Sequence, residues 1–144
     1  MLTDGGERNV RRGIYSDSLR KRLHWLAVVL YMGFIFYLSS QSQLPDLSRY
    51  GVKDWMEHGA EYVVLGAMAA KAAAVTWPWS AGACGGFAVI LGTGYGLSDE
   101  IHQRFVPGRK CDARDWSADA AGSALGALAF LVWSRFEKRR RSNV

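Results

Sequence analysis

A chain of 144 residues is the length of one compact domain, and 22% charged side chains with a mean hydropathy near zero would suit an ordinary soluble fold. The distribution of charge excludes that reading, because charge collects at the two ends and in two internal stretches separated by long apolar segments. The net +5 is therefore a topology signal and an attraction to anionic lipid, with no nucleic-acid partner implied, and two cysteines, Cys84 and Cys111, make no metal or disulfide framework.

Residues 1–22 are polar, Gly-containing and aperiodic, which predicts a flexible basic cytoplasmic tail. The first apolar run covers residues 23–40 and is interrupted by His24 alone. At ~1.5 Å per residue a run of this length reaches roughly 27 Å, close to the ~30 Å hydrocarbon core. Taking it as a cleaved signal peptide is disfavoured, since its basic region sits late and no Ala-x-Ala site follows. The segment after it, centred on Pro45, is expected to be extended or turning.

A second helix is predicted over residues 58–77, carrying Glu61 and Lys71, and a third over 81–100, apolar until its last two residues. The Trp77-Pro78-Trp79 turn joins them. A fourth follows over 116–136, after a turn at Pro107-Gly108, and residues 137–144 close the chain as a second basic tail. More than half of the 18 Lys and Arg lie in the tails, Arg20, Lys21 and Arg22 before the first helix and Lys138 to Arg141 after the last among them. Basic residues stay on the cytoplasmic side, and four spans return the chain to the side on which it began. The expected fold is thus an all-α integral membrane four-helix bundle over residues 23–136, N and C termini cytoplasmic. Lys71 would snorkel toward that same side. Gly122-x-x-x-Gly126 in the fourth helix is a small-xxx-small pattern that lets backbones approach closely.

The polar residues gather at the opposite, extracytoplasmic ends. His58, Glu61 and Tyr62 share a helical face at i, i+3 and i+4, as do Asp99, His102 and Gln103, while Asp115 and Asp119 open the fourth helix. An ionised carboxylate at the depth of Glu61 or Asp119 costs a few kcal/mol, ~3, unless it is paired or hydrated, so both are expected to face the bundle interior. Three readings of the cluster stay open here: an interfacial network of ion pairs and caps, a site where Arg104, Arg109, Lys110 and Arg114 engage phosphate or carboxylate, and a centre that binds a divalent ion or moves a proton. Transport is disfavoured, because one chain of four helices without inverted repeats rarely encloses a path.

Four blocks of residues, Ser40-Gln41-Ser42-x-Leu44-Pro45, His58-x-x-Glu61-Tyr62-x-x-Leu65-Gly66, Asp99-Glu100-x-His102-Gln103-x-Phe105-Val106-Pro107-Gly108-Arg109 and Asp115-x-x-x-Asp119-x-x-Gly122, resemble the VanZ-like family of bacterial membrane proteins. The chain departs from it at Trp55, where members often carry Lys. The resemblance implies a multi-pass protein of the bacterial cytoplasmic membrane, and through the family's founding member a link to resistance against the glycopeptide teicoplanin. It also singles out Gln41, His58, Glu61, Asp99, Glu100, His102, Gln103, Arg109, Asp115 and Asp119. On this reading His58, Glu61, Asp99, His102 and Asp119 are the proton-moving or metal-ligating candidates. Gln41, Glu100, Gln103, Arg109, Lys110, Arg114 and Asp115 are the candidates for binding an envelope component, namely a lipid-linked cell-wall precursor, a phospholipid headgroup or a lipophilic glycopeptide. The alternative is a noncatalytic accessory protein that packs with a partner, or with a second copy of itself, through the third and fourth helices.

Overall fold

The computed structural model describes residues 4–42 and 53–143, with side chains from residue 16 onward, so the expected turn around Pro45 lies outside the described residues. Four helices make up the fold, α1 (Asp4–Ser39), α2 (Asp54–Thr76), α3 (Ala81–Gln103) and α4 (Ala113–Ser142), and the described residues contain no strand. Helical structure continues at both ends into residues expected as tails. Beyond the apolar stretches the chain is rich in Arg and Lys, which are good helix formers, and an Arg20–Asp17 pair at 3.2 Å bridges adjacent turns of α1. Arg139, Arg140 and Arg141 occupy the last turn of α4, where a helix favours cations.

Three stretches, Ser16–Ser39, Ala81–Gln103 and Ala113–Ser142, are long and apolar enough to cross a membrane. α2 matches α3 in length at 23 residues, but Asp54, Glu57, His58, Glu61 and Lys71 reduce its apolarity. Its position compensates for its composition. Among the described residues α2 packs against each of the other three helices, whereas α1 and α4 do not meet.

The contacts fix an up-down-up-down arrangement. In the first half of the membrane-length stretch of α1, Trp25 donates to the Thr76 hydroxyl at the end of α2 (2.8 Å) and packs edge-on against Phe87 near the start of α3 (6.0 Å between ring centroids). Trp77 and Trp79 stack at 4.5 Å beside them, forming an aromatic group at the bundle end that carries the basic residues. Lys71 lies 4.0 Å over the Trp133 ring near this end. At the other end the termini of α1 and α3 meet the starts of α2 and α4.

Small residues line the inside and large apolar ones the outside, as expected where lipid rather than water is the solvent. Ala69, Ala70, Ala73, Cys84 and Ala88 are fully buried, while Leu30, Phe34, Ile90 and Leu125 project outward. The tightest approach is between α2 and α4. A Cβ added to Gly122 would run into the Gly59 carbonyl, and one added to Gly126 would meet the Val63 carbonyl and the Ala67 amide, all rigid backbone. Gly66 on α2 is closed in the same way by the Ser123 backbone. The Gly122-x-x-x-Gly126 pattern thus packs the chain against itself.

Gly126→Ala is expected to destabilise the protein by about 1–3 kcal/mol through overpacking. Gly94→Ala, with nothing within 4 Å of the added Cβ, should stay within about 0.5 kcal/mol of the parent. Thermal exposure of the buried Cys84 thiol, read with a fluorogenic maleimide in a Cys111→Ser background, compares the two. Equal losses at both positions would refute the packing account.

Candidate functional site

At the end of the bundle away from the basic residues, the four helices surround a set of buried polar side chains. Three helices contribute its centre. His58 stands in the second turn of α2, Glu100 near the end of α3 and Asp119 in the second turn of α4; their exposures are 7%, 2% and 0%. His58 Nδ1 lies 3.1 Å from Asp119 Oδ1 and 3.9 Å from Glu100 Oε1, and one ligand-capable atom from each residue falls within 4.8 Å of the others. Asp119 is short, and it reaches His58 because its neighbours give way. A Cβ on Gly96 of α3 would stand 2.8 Å from Asp119 Cβ.

The connection between α3 and α4 completes the centre. After Gln103 the chain makes successive tight turns, with Val106 N–H donating to the Gln103 carbonyl and Arg109 N–H to that of Val106, each at 3.1 Å. Gly108 takes a φ of +85°, open to glycine and strained for other residues, and this turn directs Arg109 inward. Asp112 then caps α4, its side chain accepting from Arg114 N–H at 2.8 Å. Its own N–H donates to Glu100 Oε2 at 2.7 Å, so one connection caps a helix and orients a buried carboxylate.

A cleft reaches the centre at His58, lined also by Asp54, Glu57, Glu61, Asp99, Gln103 and Arg109, with Leu38 and Ser39 of α1 along its edge. Its cavity volume of about 20 Å³ holds roughly one water. Five buried side-chain atoms among the described residues have no hydrogen-bond partner: Arg109 Nε, Glu100 Oε1, Asp119 Oδ2, Tyr62 Oη and Ser123 Oγ. The first belongs to the cleft, the next two to the centre. Tyr62 and Ser123 stand one helical turn below His58 and Asp119.

Asp99 differs from these carboxylates, although it lines the same cleft. Its Oδ1 accepts from Ser39 Oγ at 2.6 Å and its Oδ2 from Gln103 Nε2 at 3.1 Å, which ties the end of α1 to α3. His102 stands outside the centre. Its ring packs against Phe36 of α1 at 4.4 Å and its Nε2 meets Ser40 Oγ at 3.0 Å. On a helix advancing ~100° per residue, position 103 lies nearly above 99, whereas 102 is rotated ~60° from 99 to the other side. Gln41 bonds back to the Tyr37 carbonyl, Lys110 and Arg114 are exposed, and Asp115 is half-buried in the first turn of α4.

A family model described as VanZ/LLP1 matches residues 19–134, most of the chain. The protein belongs to the VanZ/LLP1 family. No curated protein and no solved structure matches it. The family match takes in all four helices of the bundle and every residue of the centre and cleft, and with three membrane-length helices it makes this VanZ/LLP1 member a membrane protein.

Two contributors escaped sequence reading. Ser39 was placed at the end of an apolar run, and the Asp112 role is played by a backbone N–H that no side-chain pattern announces. Asp112-Ala-Arg-Asp115 does carry an N-cap signal, with an acid three residues after a capping Asp.

Ser39→Ala is expected to destabilise the bundle by about 1–3 kcal/mol, because Asp99 Oδ1 loses its donor in a buried setting. Thermal unfolding in detergent measures it. A variant as stable as the parent would show that this oxygen has another donor in the folded protein.

Proposed function

We propose that this VanZ/LLP1 member recognises or processes an envelope component at the outer face of a bacterial cytoplasmic membrane, which it crosses four times with both termini inside. One observation carries the reading: the buried His58–Glu100–Asp119 centre meets, at His58, a cleft that Arg109 also lines, at the bundle end opposite the basic residues. Cations retained on the cytoplasmic side would put that cleft outside.

The three ligand types named above, a lipid-linked cell-wall precursor, a phospholipid headgroup and a lipophilic glycopeptide, each present a polar head at the bilayer surface. A guanidinium matches phosphate or carboxylate in a bidentate fork, and Arg109 has a buried Nε with no partner to offer such a head. The cleft has room for about one water, so the head docks at its mouth with an anionic edge toward Arg109. Exposed Lys110 and Arg114 flank that mouth in sequence and add attraction. His58, oriented by Asp119, is the reacting end, and His102 has a packing role against Phe36. Glycopeptide resistance is one phenotype this activity would produce in a host.

The accessory-protein alternative draws less support from the packing, since Gly122 and Gly126 are occupied by α2 within the chain.

Orientation is tested on the exposed Cys111, next to the site: a membrane-impermeant maleimide should label it in intact spheroplasts while buried Cys84 stays unlabelled. Labelling only after permeabilisation would invert the topology. For the site, Arg109→Ala and His58→Ala are expected to lower ligand affinity or host protection by about 10-fold or more, the loss of one charge-assisted contact. His102→Ala should stay within about twofold. The reading fails if stably inserted Arg109→Ala and His58→Ala proteins keep full activity.

A further inference from the structure

We infer that His58, Glu100 and Asp119 together bind a divalent first-row metal ion of the Zn²⁺ or Mn²⁺ type, one ligand from each of α2, α3 and α4. The inference deepens the site proposed above and rests on the same cleft, without depending on which envelope component docks there.

Two ligands each ~2.1 Å from one ion stand at most about 4.2 Å apart. The His58–Asp119 and His58–Glu100 separations, 3.1 and 3.9 Å, fall inside that limit, and no pair in the set exceeds 4.8 Å.

Hydrogen-bond accounting points the same way. Were His58 protonated, its Nδ1–H would serve Asp119 Oδ1 alone, because 3.9 Å to Glu100 is beyond hydrogen-bond reach. Asp119 Oδ2 and Glu100 Oε1 would stay buried without a donor, and both residues are at least nine-tenths buried. A cation between the three side chains engages the lone pairs that one proton leaves idle. It also offsets two carboxylates that are costly to bury unpaired.

The surroundings suit a metal. The Asp112 N–H holds Glu100 from behind, the outer hydrogen bond that orients a ligating carboxylate. Asp54, Glu57, Glu61 and Asp99 line the approach and attract cations, with Arg109 the opposing charge at its edge. Three protein ligands, with a water-sized cleft bordering His58, follow the pattern of a site that keeps one position open for exchange. Imidazole with two carboxylates is a borderline donor set, suited to Zn²⁺ or Mn²⁺.

The test uses the full chain purified in detergent. After equilibration with Zn²⁺ or Mn²⁺ and removal of the excess, elemental analysis should find about one ion per chain, and Co²⁺ substitution should give visible d–d absorption. Glu100→Gln and Asp119→Asn, near-isosteric changes, should each weaken Zn²⁺ binding by about 10-fold or more in competition with a chromophoric chelator, with His102→Ala unchanged. Folded parent protein holding less than about a tenth of an ion, or equal affinity in parent and Asp119→Asn, would overturn the inference. Ion binding beside a fully active Arg109→Ala would instead defeat the functional reading. No ion beside an inactive Arg109→Ala would defeat the metal and leave the functional reading standing.

Discussion

Backbone contact between α2 and α4 is the constraint on which the rest of the structure depends. Helices in lipid gain little from hiding apolar surface, so they associate where side chains are small enough for backbones to touch. Gly122 against Gly59, Gly126 against Val63 and Ala67, and Gly66 against Ser123 provide that contact over about two turns. His58 and Asp119 lie at the upper end of the seam, and an imidazole reaches a two-carbon side chain only because the helices beneath them are drawn together. Gly92 and Gly96 admit α3 to the same seam beside Ser123 and Asp119, which brings Glu100 to the centre from the third side. The polar centre is a consequence of missing side chains.

Burial then separates carboxylates that sequence alone makes alike. Asp99, Glu100 and Asp119 are all nearly inaccessible, and in a low-dielectric interior each needs donors or a counter-charge. Asp99 has a donor on each oxygen and joins α1 to α3 as an anchor. Glu100 and Asp119 each keep one oxygen without a donor, and those two oxygens are on the residues that approach His58. A buried acid with all its bonds made stabilises a fold, while one with bonds left over has capacity for a ligand.

Much of this was legible in the sequence, for reasons that particular residues show. Apolar length located α1, α3 and α4, and glycine spacing marked Gly122 and Gly126 as a close-packing surface, since both are one-dimensional patterns; that this surface meets α2 is visible only in the bundle. The depth of Asp119 could be read from its distance into an apolar run. The sorting of Asp99, Glu100, His102 and Gln103 could not, because neighbouring positions on one turn face different helices, and only the assembled bundle decides which helix each side chain meets. Glu100, a binding candidate by sequence, thus stands in the buried centre, and His102, a proton-moving candidate by sequence, packs against Phe36. The Asp112 contact was out of reach for a deeper reason, as a backbone N–H carries no residue identity. Helical extension at both tails is not legible from hydropathy, which reports where a membrane ends, and a helix rich in Arg and Lys need not end there.

The weakness of α2 as a membrane span and the presence of a polar centre have one cause. Asp54, Glu57, His58 and Glu61 lower its apolarity, and on a helix facing lipid along its length such residues would be expensive. α2 packs closely against all three other helices, so its polar turns find protein rather than lipid beside them. Reversing the roles would fail: α1 exposes Leu26, Val29, Leu30 and Phe34 to its surroundings and has no second helix on its far side to receive a carboxylate. A buried ionisable centre therefore requires a central helix of mixed composition, and the three apolar helices packed around α2 make that composition tolerable.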